Sequence, residues 1–208
     1  MIKNLILILN NYKNIFISFI SSTEVFEKNN LLISERSNIY SNTFYGKYKI
    51  KAEKLLLDFC KKKNFKLNIL RPAQIYGIND YFDAYGPTQF INKSIKKETI
   101  ELWGDGSELR EFIYVEDVAK IILLVNQKQI IGDFNIVSGI SYNYIMIFKI
   151  IMERFENCKY ILKKRTGEKY DLIFDNKKIL GILPKSFNFT QLNIGIKKYI
   201  NEIQRQKK

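Results

Sequence analysis

Two short runs of apolar, β-branched and aromatic residues bracket a long amphipathic stretch, and this arrangement limits the fold more than any other feature of the chain. Residues 14–21 read Asn-Ile-Phe-Ile-Ser-Phe-Ile-Ser and residues 66–71 read Lys-Leu-Asn-Ile-Leu-Arg. Neither run alternates in polarity, which is the pattern of strands covered on both faces of a parallel sheet. Between them, residues 43–63 place Tyr48, Ala52, Leu55, Leu56 and Phe59 along one helical stripe. Strand, crossover helix and strand form a right-handed parallel unit. Pro72 is expected to stop the second strand.

The remainder predicts an α/β fold with a second, smaller lobe. Residues 74–87 are loop-like, with Gly77, Asn79, Asp80, Gly86 and Pro87. A short helix is expected over 88–97, the turn Gly104-Asp105-Gly106-Ser107 leads to an extended segment 109–115, and Glu116 and Asp117 open a helix to about residue 127. Residues 133–137 read as a third buried strand, and Ser141 is expected to cap a helix to about residue 155. A strand over 160–164, a short helix after Asp175, a turn at 181–184 and a closing helix from Thr190 complete the chain. Residues 1–9 read as the tail of a helix leading into the first strand, too short and too interrupted for a membrane span, with no small-residue cleavage site behind them. The expected division is 1–73 with strand 133–137 in one sheet-bearing part and 74–208 mainly in the small lobe, with the segments interleaved.

Composition narrows the chemistry. The chain has 208 residues, 46% of them hydrophobic, and no histidine, which removes Ser-His-Asp and Cys-His catalysis together with the usual zinc sites. Cys60 and Cys158 lie far apart and suggest neither a disulfide framework nor a metal knuckle; two buried free thiols fit a reducing cytoplasm. The net charge of +13 comes from lysines spread along the chain, many at expected helix ends, so it implies no nucleic-acid partner, although a phosphate ligand gains from the field.

The chemically suggestive motif is Tyr45-Gly46-Lys47-Tyr48-Lys49. On a helix, Tyr45 and Lys49 share a face one turn apart. A free phenol ionises near pH ~10, so it needs an adjacent positive charge to serve as a base, and Lys49 is placed to supply one. Upstream, Ser21-Ser22-Thr23 follows the first strand, where the Ser22 hydroxyl could hold a substrate oxygen. Plainer roles are open for each residue: Tyr45 as a core aromatic, Ser22 as a strand-end hydroxyl serving backbone groups, Arg110 as a surface partner of Glu111 or Asp117, and Asp117 as a helix-start residue.

Four segments together resemble the extended short-chain dehydrogenase/reductases, the NAD-dependent nucleotide-sugar epimerases and dehydratases. They are Ser21-Ser22-Thr23-Glu24-Val25-Phe26, Tyr45 to Lys49, Leu70-Arg71-Pro72-Ala73-Gln74-Ile75-Tyr76-Gly77, and the run from Gly104 through Arg110-Glu111-Phe112-Ile113-Tyr114-Val115 to Ala119. The resemblance implies a Rossmann-type parallel sheet, NAD as cofactor, a nucleotide-sugar substrate, a homodimer, and a place in polysaccharide biosynthesis. It implies Ser22 as the catalytic hydroxyl, Tyr45 as the acid/base, Lys49 as the residue that binds the nicotinamide ribose and lowers the phenol pKa, and Arg110 as the grip on the diphosphate. Gln74 stands where the family commonly has a substrate-contacting Asn. Thr23 occupies the position of an acid that dehydratases carry, so epimerisation at carbon 4 is the expected reaction. Uronic-acid decarboxylation is the alternative, because Glu24 and Arg110 match residues its members use.

The family's glycine-rich turn for the NAD pyrophosphate has no counterpart, since the first glycine of the sequence is Gly46. The expectation is therefore a partial Rossmann sheet lacking its N-terminal half and impaired in NAD binding alone. It would be a shortened enzyme, one half of an enzyme completed by a separately encoded N-terminal half, or a non-catalytic nucleotide-sugar binding module.

Overall fold

The computed structural model describes residues 1–28, 32–80, 86–155 and 157–206. Three parallel strands form the first sheet, β1 (Phe16–Ile20), β3 (Lys66–Pro72) and β7 (Gly132–Ile136), in the order β1-β3-β7. Their register sets Ile20 beside Leu70 and Leu70 beside Phe134. Helix α2 (Phe44–Lys63) crosses one face and α4 (Val115–Gln127) covers the other. Leu56 and Cys60 of α2 pack on Leu67 and Ile69, joined by Ile2 and Ile6 of α1 (Ile2–Leu9), whereas Val118, Ile121 and Val125 of α4 pack on Leu70, Phe134 and Ile136. Both faces of β3 are thus buried, which is why its sequence shows no polar alternation.

The bounds of α2 follow from local chemistry. Thr43 caps its start, the hydroxyl accepting the Gly46 N–H at 3.0 Å. Asn64 ends it in the left-handed conformation, and Lys61, Lys62 and Lys63 stand at the negative end of the helix dipole.

A second group of elements holds its own core. Strand β4 (Gln74–Tyr76) runs parallel to β6 (Leu109–Tyr114), which pairs antiparallel with β8 (Ser141–Asn143); β5 (Ile100–Trp103) runs parallel to β9 (Tyr160–Lys163). Helices α3 (Gly86–Ile95), α5 (Tyr144–Met152) and α7 (Leu192–Gln206) enclose Tyr76, Phe90, Leu102, Phe112 and Ile196 with them. Two short parallel strands, β2 (Leu32–Ile33) and β10 (Ile173–Phe174), and the one-turn helix α6 (Lys177–Leu180) complete the described elements.

Several expectations are corrected. Residues 74–76 form a strand rather than loop, and β5 appears where no element was expected; β3 ends at Pro72, as expected. Ser141 is a strand residue whose hydroxyl donates to the Leu172 carbonyl at 2.9 Å; Asn143, two residues on, caps α5. The five residues of β1 are half-buried, because among the described residues β1 is an edge strand. On α2, Tyr48 faces solvent and Glu53 is buried in the stripe. Cys158 is half-buried rather than buried. Among the described residues, no helix is long and apolar enough to cross a membrane.

Candidate functional site

The carboxyl ends of β1 and β3 and the first turns of α2 bring several of the expected site residues into one neighbourhood. Ser22 follows β1 in extended conformation and caps a short 3-10 turn, Thr23–Val25, its hydroxyl accepting the Glu24 N–H at 3.1 Å. Its plainer backbone role is therefore real, and the same oxygen keeps a proton to donate. The Thr23 hydroxyl donates to the Pro72 carbonyl at 3.3 Å, tying this turn to the end of β3.

Lys49 is the hinge of the arrangement. Its ammonium donates to the carbonyl of Ile20, the last residue of β1 and two before Ser22, at 2.8 Å. It stands 5.4 Å from the ring centre of Tyr45 and the same distance from that of Phe19. Burial pushes the Lys49 pKa down, and the charge of Glu53, one turn along α2, works in the opposite direction. Tyr45 is 55% exposed at the start of the helix. Gly46 beside it is required by close approach: a Cβ there would strike the Ser41 hydroxyl and come within 2.6 Å of the Glu24 carbonyl oxygen.

Beneath these groups lies a buried ionic cluster that sequence reasoning missed. Arg71 binds Glu53 twice, Nε to Oε1 at 3.0 Å and NH2 to Oε2 at 2.7 Å, and reaches Asp133 at 3.1 Å; Ser21 donates its hydroxyl to Glu53. Burial opposes the Asp133 charge, but Lys178 and Arg71 outweigh it and hold that carboxyl below the usual range. The signal was present as an acid on the covered side of an amphipathic helix, a place where carboxylates occur only when paired.

Glu24 and Arg110 are joined through two residues that the sequence did not single out. Glu24 binds Lys28 at 2.7 Å and accepts the Thr43 hydroxyl at 3.4 Å. Lys28 reaches the Tyr170 hydroxyl at 3.1 Å, and burial, the largest influence on it, is outweighed by Glu24 and Tyr170, so its pKa rises. Arg110 stacks 4.4 Å from the Tyr170 ring centre and donates to the carbonyls of Leu109 and Tyr170, at 2.8 and 2.7 Å. Its charge partner is Glu108, at 3.1 Å, rather than Glu111 or Asp117. Arg165 binds the same Glu108, so two arginines share one carboxylate. Asp117 is structural, its carboxylate accepting the N–H and hydroxyl of Thr190. Gln74 begins β4 with a buried Oε1 that has no hydrogen-bond partner among the described residues.

The profile of the NAD dependent epimerase/dehydratase family matches residues 4–137, well over half of the chain. The chain belongs to that family. Among curated relatives, the protein named "Putative UDP-glucose 4-epimerase" from Methanocaldococcus jannaschii is 32% identical over 184 residues, covering 84% of this chain and 58% of its own length. UDP-glucuronic acid decarboxylase 4 of Arabidopsis thaliana is 26% identical over 148 residues, covering 68% of this chain and 33% of its own. The chain thus spans between a third and three fifths of these family members. Two solved structures share the fold. UDP-N-acetylglucosamine 4-epimerase from Methanobrevibacter ruminantium, in complex with UDP-N-acetylmuramic acid, has a TM-score of 0.84 at 24% identity, over 99% of this chain and 68% of that one. UDP-glucuronic acid 4-epimerase from Bacillus cereus, in complex with UDP-glucuronic acid and NAD, has a TM-score of 0.87 at 20% identity, over 99% and 66%.

Lys49 and Tyr45 present an ammonium and a phenol suited to a ribose hydroxyl and a nicotinamide. The pyrophosphate end calls for a glycine-rich turn at a helix N-terminus, and the sequence holds no glycine before Gly46, which is itself inside α2. These residues therefore do not make a complete dinucleotide site.

Proposed function

We propose that this chain carries the proton-transfer and substrate-holding part of a nucleotide-sugar 4-epimerase. The observation that supports the reading most is the seat of Lys49, bonded to the end of β1 two residues before Ser22 and beside the Tyr45 ring. In this reading Tyr45 starts as a phenolate whose charge the Lys49 ammonium balances, takes the proton of the sugar 4-hydroxyl and becomes the phenol, while Ser22 donates a hydrogen bond to the same oxygen. NAD, when bound, would supply hydride acceptance, and Tyr45 and Lys49 are the residues that would hold its nicotinamide-ribose end. Arg110 and Arg165, which share Glu108, are the groups we assign to the nucleotide diphosphate, since planar guanidinium forks suit paired anionic oxygens. Gln74, with its unpartnered buried oxygen, is assigned to the sugar.

The same contacts argue against the alternatives. The Thr23 hydroxyl is turned to the Pro72 carbonyl, so this position offers a hydroxyl rather than a carboxylic acid for 4,6-dehydration. Glu24 is engaged by Lys28 and Thr43 rather than left free for a uronic acid. A second reading is a cytoplasmic nucleotide-sugar binding module without redox chemistry, for which the two arginines sharing Glu108 would suffice to hold a diphosphate.

Calorimetry with UDP-glucose and with NAD tests the proposal, first on the chain alone and then with a separately expressed Rossmann half bearing the glycine-rich turn. The expected result is UDP-glucose binding by the chain, weak NAD binding that tightens on mixing, and turnover by the mixture that Tyr45→Phe abolishes while sugar-nucleotide affinity stays within about twofold. Turnover surviving Tyr45→Phe overturns the mechanism. UDP-glucose affinity with no turnover in a mixture that binds NAD selects the binding-module reading. A homodimer is the alternative form of assembly, read from the same samples by sedimentation.

A further inference from the structure

Glu53 is a buried acid at the junction of two systems. On one side it is locked: both its oxygens bind Arg71, Ser21 donates to it, and it is 3% exposed. Ser21 and Arg71 are themselves buried at the carboxyl ends of adjacent strands, where the Ser21 N–H donates to the Leu70 carbonyl. On the other side Glu53 stands one turn beyond Lys49 on α2, and positions i and i+4 are surface neighbours on a helix. Arg71 is held in turn by Asp133, and Asp133 by Lys178.

We propose that Glu53 is the positioning residue for Lys49, its locked carboxylate fixing both the place and the charge of the ammonium at the end of β1. A lysine that is partly buried against the Phe19 ring and a backbone carbonyl has no full counter-ion in those contacts. The groups around it are Tyr45 and, one turn away, Glu53 on its own helix, Phe19 and the Ile20 carbonyl from β1, and the Arg71 guanidinium of β3 bonded to Glu53. Of these, Glu53 is the one carrying a negative charge, and it is the one whose rotamer is fixed by a two-bond grip. The Arg71 pair then has a use beyond stability: a buried ion pair contributes little net stability, but it holds a carboxylate in one place. This inference adds a residue to the site proposed above, yet its test does not depend on turnover.

The test is the pH profile of Lys49 acetylation by acetic anhydride, resolved from Lys47 and Lys51 by tandem mass spectrometry of the intact, folded chain. Glu53→Gln keeps the size and one acceptor of the side chain and removes its charge. The expected result is a profile displaced to lower pH, with Lys49 labelled about threefold or more faster at a fixed pH below its midpoint, while Lys61, Lys62 and Lys63 at the end of the helix label as before. Glu53→Asp, which restores the charge, moves the profile back toward that of the parent. A Lys49 profile unchanged in folded Glu53→Gln overturns the proposal. Where that variant does not fold because Arg71 is left unpaired, Glu53→Gln with Arg71→Gln removes both charges, and a displacement in the same direction but smaller is expected, since the lost guanidinium charge partly offsets the lost carboxylate. Ser21→Ala leaves the ion pair intact and is expected to leave the Lys49 profile in place; a displacement as large as that of the charge variants would overturn the assignment.

Discussion

Glu111 and Gly139 meet across two sheets: the carboxylate of Glu111, on β6, accepts the Gly139 N–H at 3.1 Å and that of Ser138 beside it, in the turn that follows β7. The other oxygen of Glu111 is buried with no hydrogen-bond partner among the described residues. Two N–H donors favour the ionised form, but burial outweighs them and pushes the carboxyl up to about 7.

That shift gives a stability profile with a definite sign. Below the ordinary value of 4.5 the group is protonated in both folded and unfolded chains, and its contribution is fully present. As pH rises from 4.5 to about 7 the unfolded chain releases the proton first, so stability falls through this window and levels off above it. The loss is about 3 kcal/mol at most. Urea unfolding of the parent and of Glu111→Gln between about pH 5 and about pH 8 should show the decline in the parent and its absence, as a difference, in the variant.

The carboxylate of Asp117, buried at the start of α4, takes the Thr190 N–H at 2.6 Å and its hydroxyl at 3.1 Å, ahead of α7. Asp117→Ala leaves both donors without acceptor and is expected to cost about 2–4 kcal/mol. Asp117→Asn, keeping one acceptor, should cost roughly half of that, measured by the same urea titrations.

Gly46→Ala is expected to destabilise by about 1–3 kcal/mol, because the added methyl meets the Glu24 backbone and the Ser41 hydroxyl at the root of α2. A fall of roughly 5 °C in Tm checks it. Displacing this first turn also displaces Tyr45, so sugar-nucleotide affinity and Tyr45 chemistry should change together.

Tyr45→Phe, by contrast, should fold like the parent, since the side chain is more than half exposed. Its Tm is expected to stay within about 2 °C. Turnover lost in that variant by a completed enzyme is then a loss of proton transfer rather than of structure.

The parts of the fold that could be read from the sequence are those fixed by nearest neighbours. Helix α2 ends within a residue of its expected bounds because Thr43 and Asn64 punctuate it locally, and the Tyr45 to Lys49 spacing then follows from helical geometry. Strands β4 and β8 were missed because their pairing with β6 is a tertiary event that Gly77 or Ser141 does not announce. Ser141 and Asn143 are both capping residues, and the sheet decides which of them starts α5. The partner of Arg110 illustrates a rule passed over: residues two apart on an extended chain share a side, so Glu108 is its neighbour and Glu111 faces the other way. Lys28, Tyr170 and Arg165 come to the site from positions far apart in sequence, and local pattern carried no trace of their meeting.

Strand β1 pairs with β3 on one side and, among the described residues, with nothing on the other. Apart from the Ile20 carbonyl, which Lys49 occupies, such an open edge is a template for one more strand. A strand that paired there would bind the folded form and not the unfolded one, so by mass action the melting point would rise with the concentration of that partner. A thermal scan repeated over a hundredfold range of concentration would read that dependence directly.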